Sequence, residues 1–190
     1  MKDKNLAKLF LLNILMIVVL LYSNELVNNS VTLNVLGYGI FASVLVFPFL
    51  FLISNFITKL FGSKESIKAI IITIGIQLFL FWINPNGMNY SLAIASLISF
   101  AVAMGINVLV YTELLSKKIN SYTYWLLLYI IVLLIDNFCF LLFLNDFPKT
   151  DDLLMIFFIS TFVKIAMGAI LAAIELFTFK NAKKIKTITN

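Results

Sequence analysis

Six long apolar runs separated by short polar connections make up most of the chain, at residues 5–23, 36–58, 66–84, 90–115, 122–144 and 152–179. At about 1.5 Å of rise per residue, each is long enough for a helix crossing the roughly 30 Å hydrocarbon layer of a bilayer. The runs lack the period-2 alternation of barrel strands, and in lipid the backbone must satisfy its own hydrogen bonds, so helices are expected. The pattern predicts an all-α integral membrane protein, one domain of six transmembrane helices over residues 1–190.

Composition sharpens this. Of 190 residues, 62% are apolar and 12% charged, with a mean hydropathy of +1.06; no single core of this size hides that much apolar surface, so lipid must solvate most of it. The first run follows Lys residues, as a secretory signal does. It extends to Leu21, however, and Tyr22-Ser23-Asn24-Glu25 offers no small-x-small cleavage site, so it reads as an anchor and first span.

Charge supplies an orientation. All fourteen basic residues are Lys. Twelve of them fall on alternate connections and tails: Lys2, Lys4 and Lys8; Lys59, Lys64 and Lys68; Lys117 and Lys118; Lys180, Lys183, Lys184 and Lys186. The opposite side holds Lys149 among Asp146, Asp151 and Asp152. The positive-inside rule therefore places both termini in the cytoplasm, in a multi-pass protein of the inner (cytoplasmic) membrane. The same asymmetry explains the net charge of +5 without nucleic acid as a partner. With no His, no Arg and the single Cys139 in an apolar run, N/S metal sites, nucleophile–His pairs and intrachain disulfides are excluded. No metal, cofactor or catalytic residue is expected.

The remaining basic residue, Lys164, lies in the middle of the sixth run. An ammonium at the bilayer centre costs on the order of 3 kcal/mol and usually turns inward toward a partner. Asp136, in the neighbouring fifth run, is the carboxylate at comparable depth. The expected Lys164–Asp136 pair is open to two readings, part of a transport site or an ion pair that only fixes helix packing. Thr161, Lys164, Gly168, Ala172 and Glu175 recur at intervals of three and four and share one helix face; Tyr122, Trp125, Tyr129 and Asp136 form a similar stripe, as do Ser96, Ser99, Ala103 and Asn107. Such small and polar stripes either join helices or line a cavity. Glu175 leaves a part in proton or substrate passage open, whereas Glu113, four residues before Lys117, is expected in a solvated surface pair. Pro48, between Phe47 and Phe49, predicts a mid-helix kink on nearly the same face as Asn55. Thr73 and Gln77 are further buried polar groups, and Tyr22, Trp82 and Asn84 mark span boundaries, the two aromatics as belt residues.

The segment Phe41–Gly62, FASVLVFPFLFLISNFITKLFG, resembles the second helix of the VUT (vitamin uptake transporter) family, the queuosine precursor transporters. Phe47-Pro48, Thr58 and Phe61-Gly62 match at the family's spacing; Asn107, Asp136 within IDNFCF and Lys164 within TFVK match more loosely, in order along the chain. Asn55 stands where the family usually has Asp, and the family's Arg residues and last-helix Pro are absent, which makes this a divergent relative. The resemblance implies import across the cytoplasmic membrane of a 7-deazapurine such as 7-cyano-7-deazaguanine or queuine. A flat heteroaromatic needs aromatic faces with amide or carboxylate edges. Asn55, Asn107, Asp136, Asn137 and Lys164 are the candidate substrate-binding residues, with Asp136 and Glu175 as candidates for proton coupling.

Alternatives from other classes remain. The S components of energy-coupling-factor vitamin transporters are similar in size, helix count and basic face, but their Ala-x-x-x-Ala docking patch is missing, since Ala7 is followed by Leu11. An intramembrane enzyme lacks its usual constellations here, and a purely structural protein would use the polar stripes for packing alone. The expected partners are the small-molecule substrate, the bilayer and, as an open option, a second copy in a homo-oligomer.

Overall fold

A computed structural model of the chain describes residues 2–83, 90–119, 121–143 and 152–188, with side chains described over 5–83, 93–119, 121–143 and 154–178. The fifth connection with Lys149, Asn84, and the side chains of the Lys residues after 179 lie outside the described residues. The elements are α1 (Lys2–Asn28), β1 (Thr32–Val35), β2 (Tyr38–Phe41), α2 (Ser43–Val46), α3 (Pro48–Phe61), α4 (Ser63–Ile83), α5 (Tyr90–Ser116), α6 (Tyr122–Phe143) and α7 (Asp152–Ile188). Among the described residues, six helical stretches are long and apolar enough to span a membrane: Asn5–Asn28, Ser43–Phe61, Ser63–Ile83, Ala93–Ser116, Tyr122–Phe143 and Leu154–Thr178. The protein is thus a multi-pass helical bundle, in agreement with the apolar pattern.

Two boundaries differ from the pattern. α1 runs through Tyr22-Ser23-Asn24-Glu25 to Asn28, so polar residues expected in the first connection belong to the helix. The expected second helix does not begin at 36. Thr32–Val35 and Tyr38–Phe41 instead pair antiparallel, Val35 facing Tyr38 across a two-residue turn. The physical reason lies in that turn: Leu36 and Gly37 both take positive φ, +54° and +87°, as a tight hairpin turn requires, and Asn34 Oδ1 accepts the Gly37 N–H at 3.1 Å. Gly37 and Gly39 weaken a helix here, while Ile40 packs with Val44 and Ile159 over the end of α7. Pro48 lies within the helical span Ser43–Phe61, which is interrupted beside it at Phe47, between α2 and α3, where the backbone keeps helical dihedrals (φ −54°, ψ −39°). It occupies the first position of α3, directly after the single turn of α2, and its missing N–H cannot continue the ladder that Phe47 N–H still makes to Ser43 O.

Gly62, at φ +94°, turns the chain from α3 into α4, and its N–H closes α3 on Thr58 O at 2.9 Å. This tight reversal and the α5–α6 connection, carrying Lys59, Lys64, Lys68, Lys117 and Lys118, form the lysine-rich end of the bundle. The hairpin marks the other. Between them α5 packs along α6 and α6 along α7, with α3 against α1, α4, α5 and α7. Leu50, Phe51, Phe100, Met104, Tyr111 and Trp125 centre the core. Ser54 and Ser66 hydroxyls meet at 2.9 Å where α3 crosses α4, a close approach that small residues permit. α7 packs tightly on α6 at Gly168: a Cβ there would lie 3.1 Å from Tyr129 Cβ and from Leu133 Cδ1. The outward faces carry exposed Leu, Ile and Phe, as a lipid-facing surface requires, with Tyr22 and Trp82 exposed near span ends where belt aromatics sit.

Candidate functional site

α6 and α7 bring the expected ion pair together. Lys164 Nζ donates to Asp136 Oδ2 at 2.7 Å, and the two residues are 6% and 2% exposed. The ammonium also donates to Asn137 Oδ1 at 3.1 Å and lies 5.7 Å from the centroid of the Phe47 ring, a cation–π contact in a desolvated setting. Asn137 is held in turn, its Nδ2 donating to Thr161 Oγ1 at 2.6 Å and Ser160 Oγ at 3.0 Å. Adjacent residues on α6 and a turn and a half of α7 thereby fix three polar side chains in one geometry. Removing one member of such a buried pair leaves an uncompensated charge, at a cost of about 3–5 kcal/mol.

This cluster opens on a cavity of about 70 Å³ at the hairpin end, partly continuous with the surroundings. Asp136, Asn137, Ser160 and Lys164 supply one polar wall, and Ser23, Asn24, Ser43, Ser96 and Ser99 supply others from α1, α2 and α5. Phe41, Phe47, Phe140 and Phe157 give flat apolar faces between them. Asp136 engages Lys164 through Oδ2, and among the described residues its Oδ1 takes no hydrogen bond. The cavity thus combines a charge pair that is neutral overall, aromatic faces and unspent polar valences, the ingredients of a small-molecule site.

Asn55, Asn107 and Glu175 do not line this cavity. They meet three helical turns further along α7, toward the lysine-rich end, in a second cluster. Glu175 Oε1 accepts from Tyr111 OH at 2.6 Å, and its Oε2 accepts from Tyr129 OH at 3.0 Å and Asn55 Nδ2 at 3.2 Å. Asn107 Nδ2 donates to Asn55 Oδ1 at 2.9 Å. One carboxylate from α7 is therefore tied to α3, α5 and α6 at once, with Glu175, Tyr111, Tyr129, Asn55 and Asn107 all buried. These are the three or so donors that a buried carboxylate needs.

The sequence-marked residues thus divide between two places. Of the α6 stripe, Trp125, Tyr129 and Asp136 are buried, while Tyr122 is about one-third exposed and donates to Ala169 O at 3.3 Å. Ser99, Ala103 and Asn107 face inward as expected. Thr73 returns its hydroxyl to Ala69 O at 2.8 Å, and the buried Gln77 amide has no partner among the described residues. Glu113 and Lys117 form the expected exposed pair at 2.9 Å, in which the carboxylate holds the Lys117 proton more tightly than usual. Sequence reasoning missed Ser23 and Asn24, because the first span was ended at 23, and Ser43 and Ser160. The signal available was helical spacing: Asn24 is four residues from Leu20, which is fully buried. Comparisons with protein families, with curated proteins and with solved structures find no match to this chain.

Proposed function

We propose that the protein is a transporter of the cytoplasmic membrane that imports a small planar nitrogen heterocycle, a queuosine precursor of the 7-deazapurine type such as 7-cyano-7-deazaguanine or queuine. The observation that carries the reading is the buried Lys164–Asp136 pair on the wall of an aromatic-sided cavity inside a membrane bundle. A structural ion pair needs no cavity beside it, and a desolvated pair next to empty space is costly unless something uses it. Phenyl faces suit a flat ring, and in this reading Asp136 accepts from the amino-pyrimidinone edge of a deazaguanine. The resemblance to the VUT family supports the same reading, since Phe47 of its Phe-Pro motif is a wall of the cavity and lies under the Lys164 ammonium. In this proposal the lysine-rich end, with both termini, faces the cytoplasm.

The test is complementation. In a host unable to synthesise the precursor, expression of this chain is expected to restore queuosine in tRNA from external 7-cyano-7-deazaguanine or queuine. Membrane-inserted protein with no restoration at any supplied precursor overturns the proposal.

A further inference from the structure

The cavity beside Lys164 encloses about 70 Å³, whereas pockets that bury a small molecule usually hold about 300–1,000 Å³. A planar heterocycle therefore enters only if a wall moves, and the walls are not equally held. Asp136, Asn137, Ser160 and Lys164 are tied to one another across α6 and α7 by hydrogen bonds. Ser96 of α5 is bonded to Asn24 of α1 at 2.9 Å. The wall formed by Ile40, Phe41, Ser43 and Val44 is held differently. Among the described residues, β1, β2 and α2 make no hydrogen bond to α5, α6 or α7, and the hairpin pairs its backbone within itself. It rests on α7 through Ile40, Val44 and Ile159, an apolar cluster separate from the main core. Such a contact can part without leaving a polar group unpaired. A hinge lies beside it. Pro48 has no N–H to give to Val44 O, so the helical ladder has a gap where α2 joins α3. Phe47, on the core side of that gap, packs edge-on against Phe51 at 6.0 Å and Phe100 at 6.2 Å between ring centroids, and lies beside the Lys164 ammonium.

Resting on the heterocycle reading above, we propose that the β1–β2 hairpin and α2 form the outer gate of the cavity, a unit that swings off α7 about the Phe47–Pro48 join to admit the substrate and that the structure shows closed. Opening parts Ile40 and Val44 from Ile159 and carries Phe41 and Ser43 away, while Phe47 and the Lys164–Asp136 pair stay in place. The polar wall is thus kept while its cover moves, as in lids that sequester a site from water. The gate lies opposite the lysine-rich end, on the side from which external substrate arrives in this reading.

The experiment locks the gate. Leu33→Cys with Ile159→Cys, in a Cys139→Ser background of the full chain, places one thiol on the hairpin and one on α7 where the two meet. Bridging them with a short reducible bis-methanethiosulfonate should lower uptake of external 7-cyano-7-deazaguanine by cells about tenfold or more relative to the same variant with free thiols, and reduction should restore it. Uptake unchanged with the bridge shown to be in place overturns the gate and leaves the heterocycle reading standing. Unsubstituted protein that takes up no precursor overturns the heterocycle reading. The gate is then read without transport, as it is where the double variant fails to bridge or carries no uptake. Spin labels at Thr32→Cys on β1 and Leu142→Cys on α6, both exposed positions, in the same background should give two interlabel distances in nanodiscs, the closed one and a longer one. A single narrow distance overturns the gate.

Discussion

The cluster around Lys164 and the cluster around Glu175 share α7 and α6, and both bury ionisable groups inside the bundle, but they spend their hydrogen bonds differently. At the hairpin end, Lys164 and Asp136 neutralise each other beside a cavity, and Asp136 Oδ1 takes no hydrogen bond among the described residues. At the lysine-rich end, the Glu175 carboxylate is saturated by Tyr111, Tyr129 and Asn55, each from a different helix, and Asn107 Oδ1, which has no partner among the described residues, lies away from the cavity. The contrast teaches that burial and polarity do not by themselves mark a binding site in a membrane bundle. Unspent valence next to space does, whereas a carboxylate with a full set of donors is a tie that holds helices together.

The largest effect should come from breaking the first cluster on one side. Lys164→Ala strands Asp136 and is expected to lower stability by about 3–5 kcal/mol and to abolish uptake. Replacing both partners, Lys164→Met with Asp136→Leu, should recover most of the stability and none of the uptake, as read by thermal unfolding in detergent alongside tRNA queuosine. Uptake restored by the double variant would reduce the pair to packing. Next comes Glu175→Gln. The amide oxygen can still accept from one tyrosine, but its NH₂ opposes the remaining donors, so stability should fall by about 1–3 kcal/mol while heterocycle affinity changes less than about threefold. A loss of stability no larger than this is expected of Gly168→Val, whose side chain would press on Tyr129 and Leu133. Overpacking of this kind costs about 1–3 kcal/mol; because Tyr129 carries the Glu175 tie, hydrogen exchange should rise in α6 and α7 near the lysine-rich end before it rises near Asp136.

Much of this arrangement was legible in the residues. The spans follow from apolar runs, and Lys164 stood out once every other Lys had a connection or a tail to occupy. Its depth then led to Asp136, and chain proximity to Asn137. The hairpin was not legible in hydropathy, because Leu33, Val35, Leu36 and Ile40 are as apolar as a helix would be; only Gly37 and Gly39 hinted at a turn. Asn24 was lost for the opposite reason. Its polar neighbours Ser23 and Glu25 resemble a connection, and α1 carries them as helix because Ser23 and Asn24 turn inward to the cavity. The division into two clusters could not be read from stripes, since a shared helix face gives direction but not depth. Lys164 and Glu175 fall on one face of α7 and yet lie about 16 Å apart along it.

The central claim is that the cluster beside the cavity binds the substrate and the cluster around Glu175 does not. It is tested most directly by equilibrium binding of 7-cyano-7-deazaguanine to purified wild type, Asp136→Asn and Glu175→Gln in nanodiscs. Saturable binding by the wild type, lost in Asp136→Asn and kept in Glu175→Gln, is the predicted result; binding kept in Asp136→Asn, or lost in Glu175→Gln alone, would contradict it.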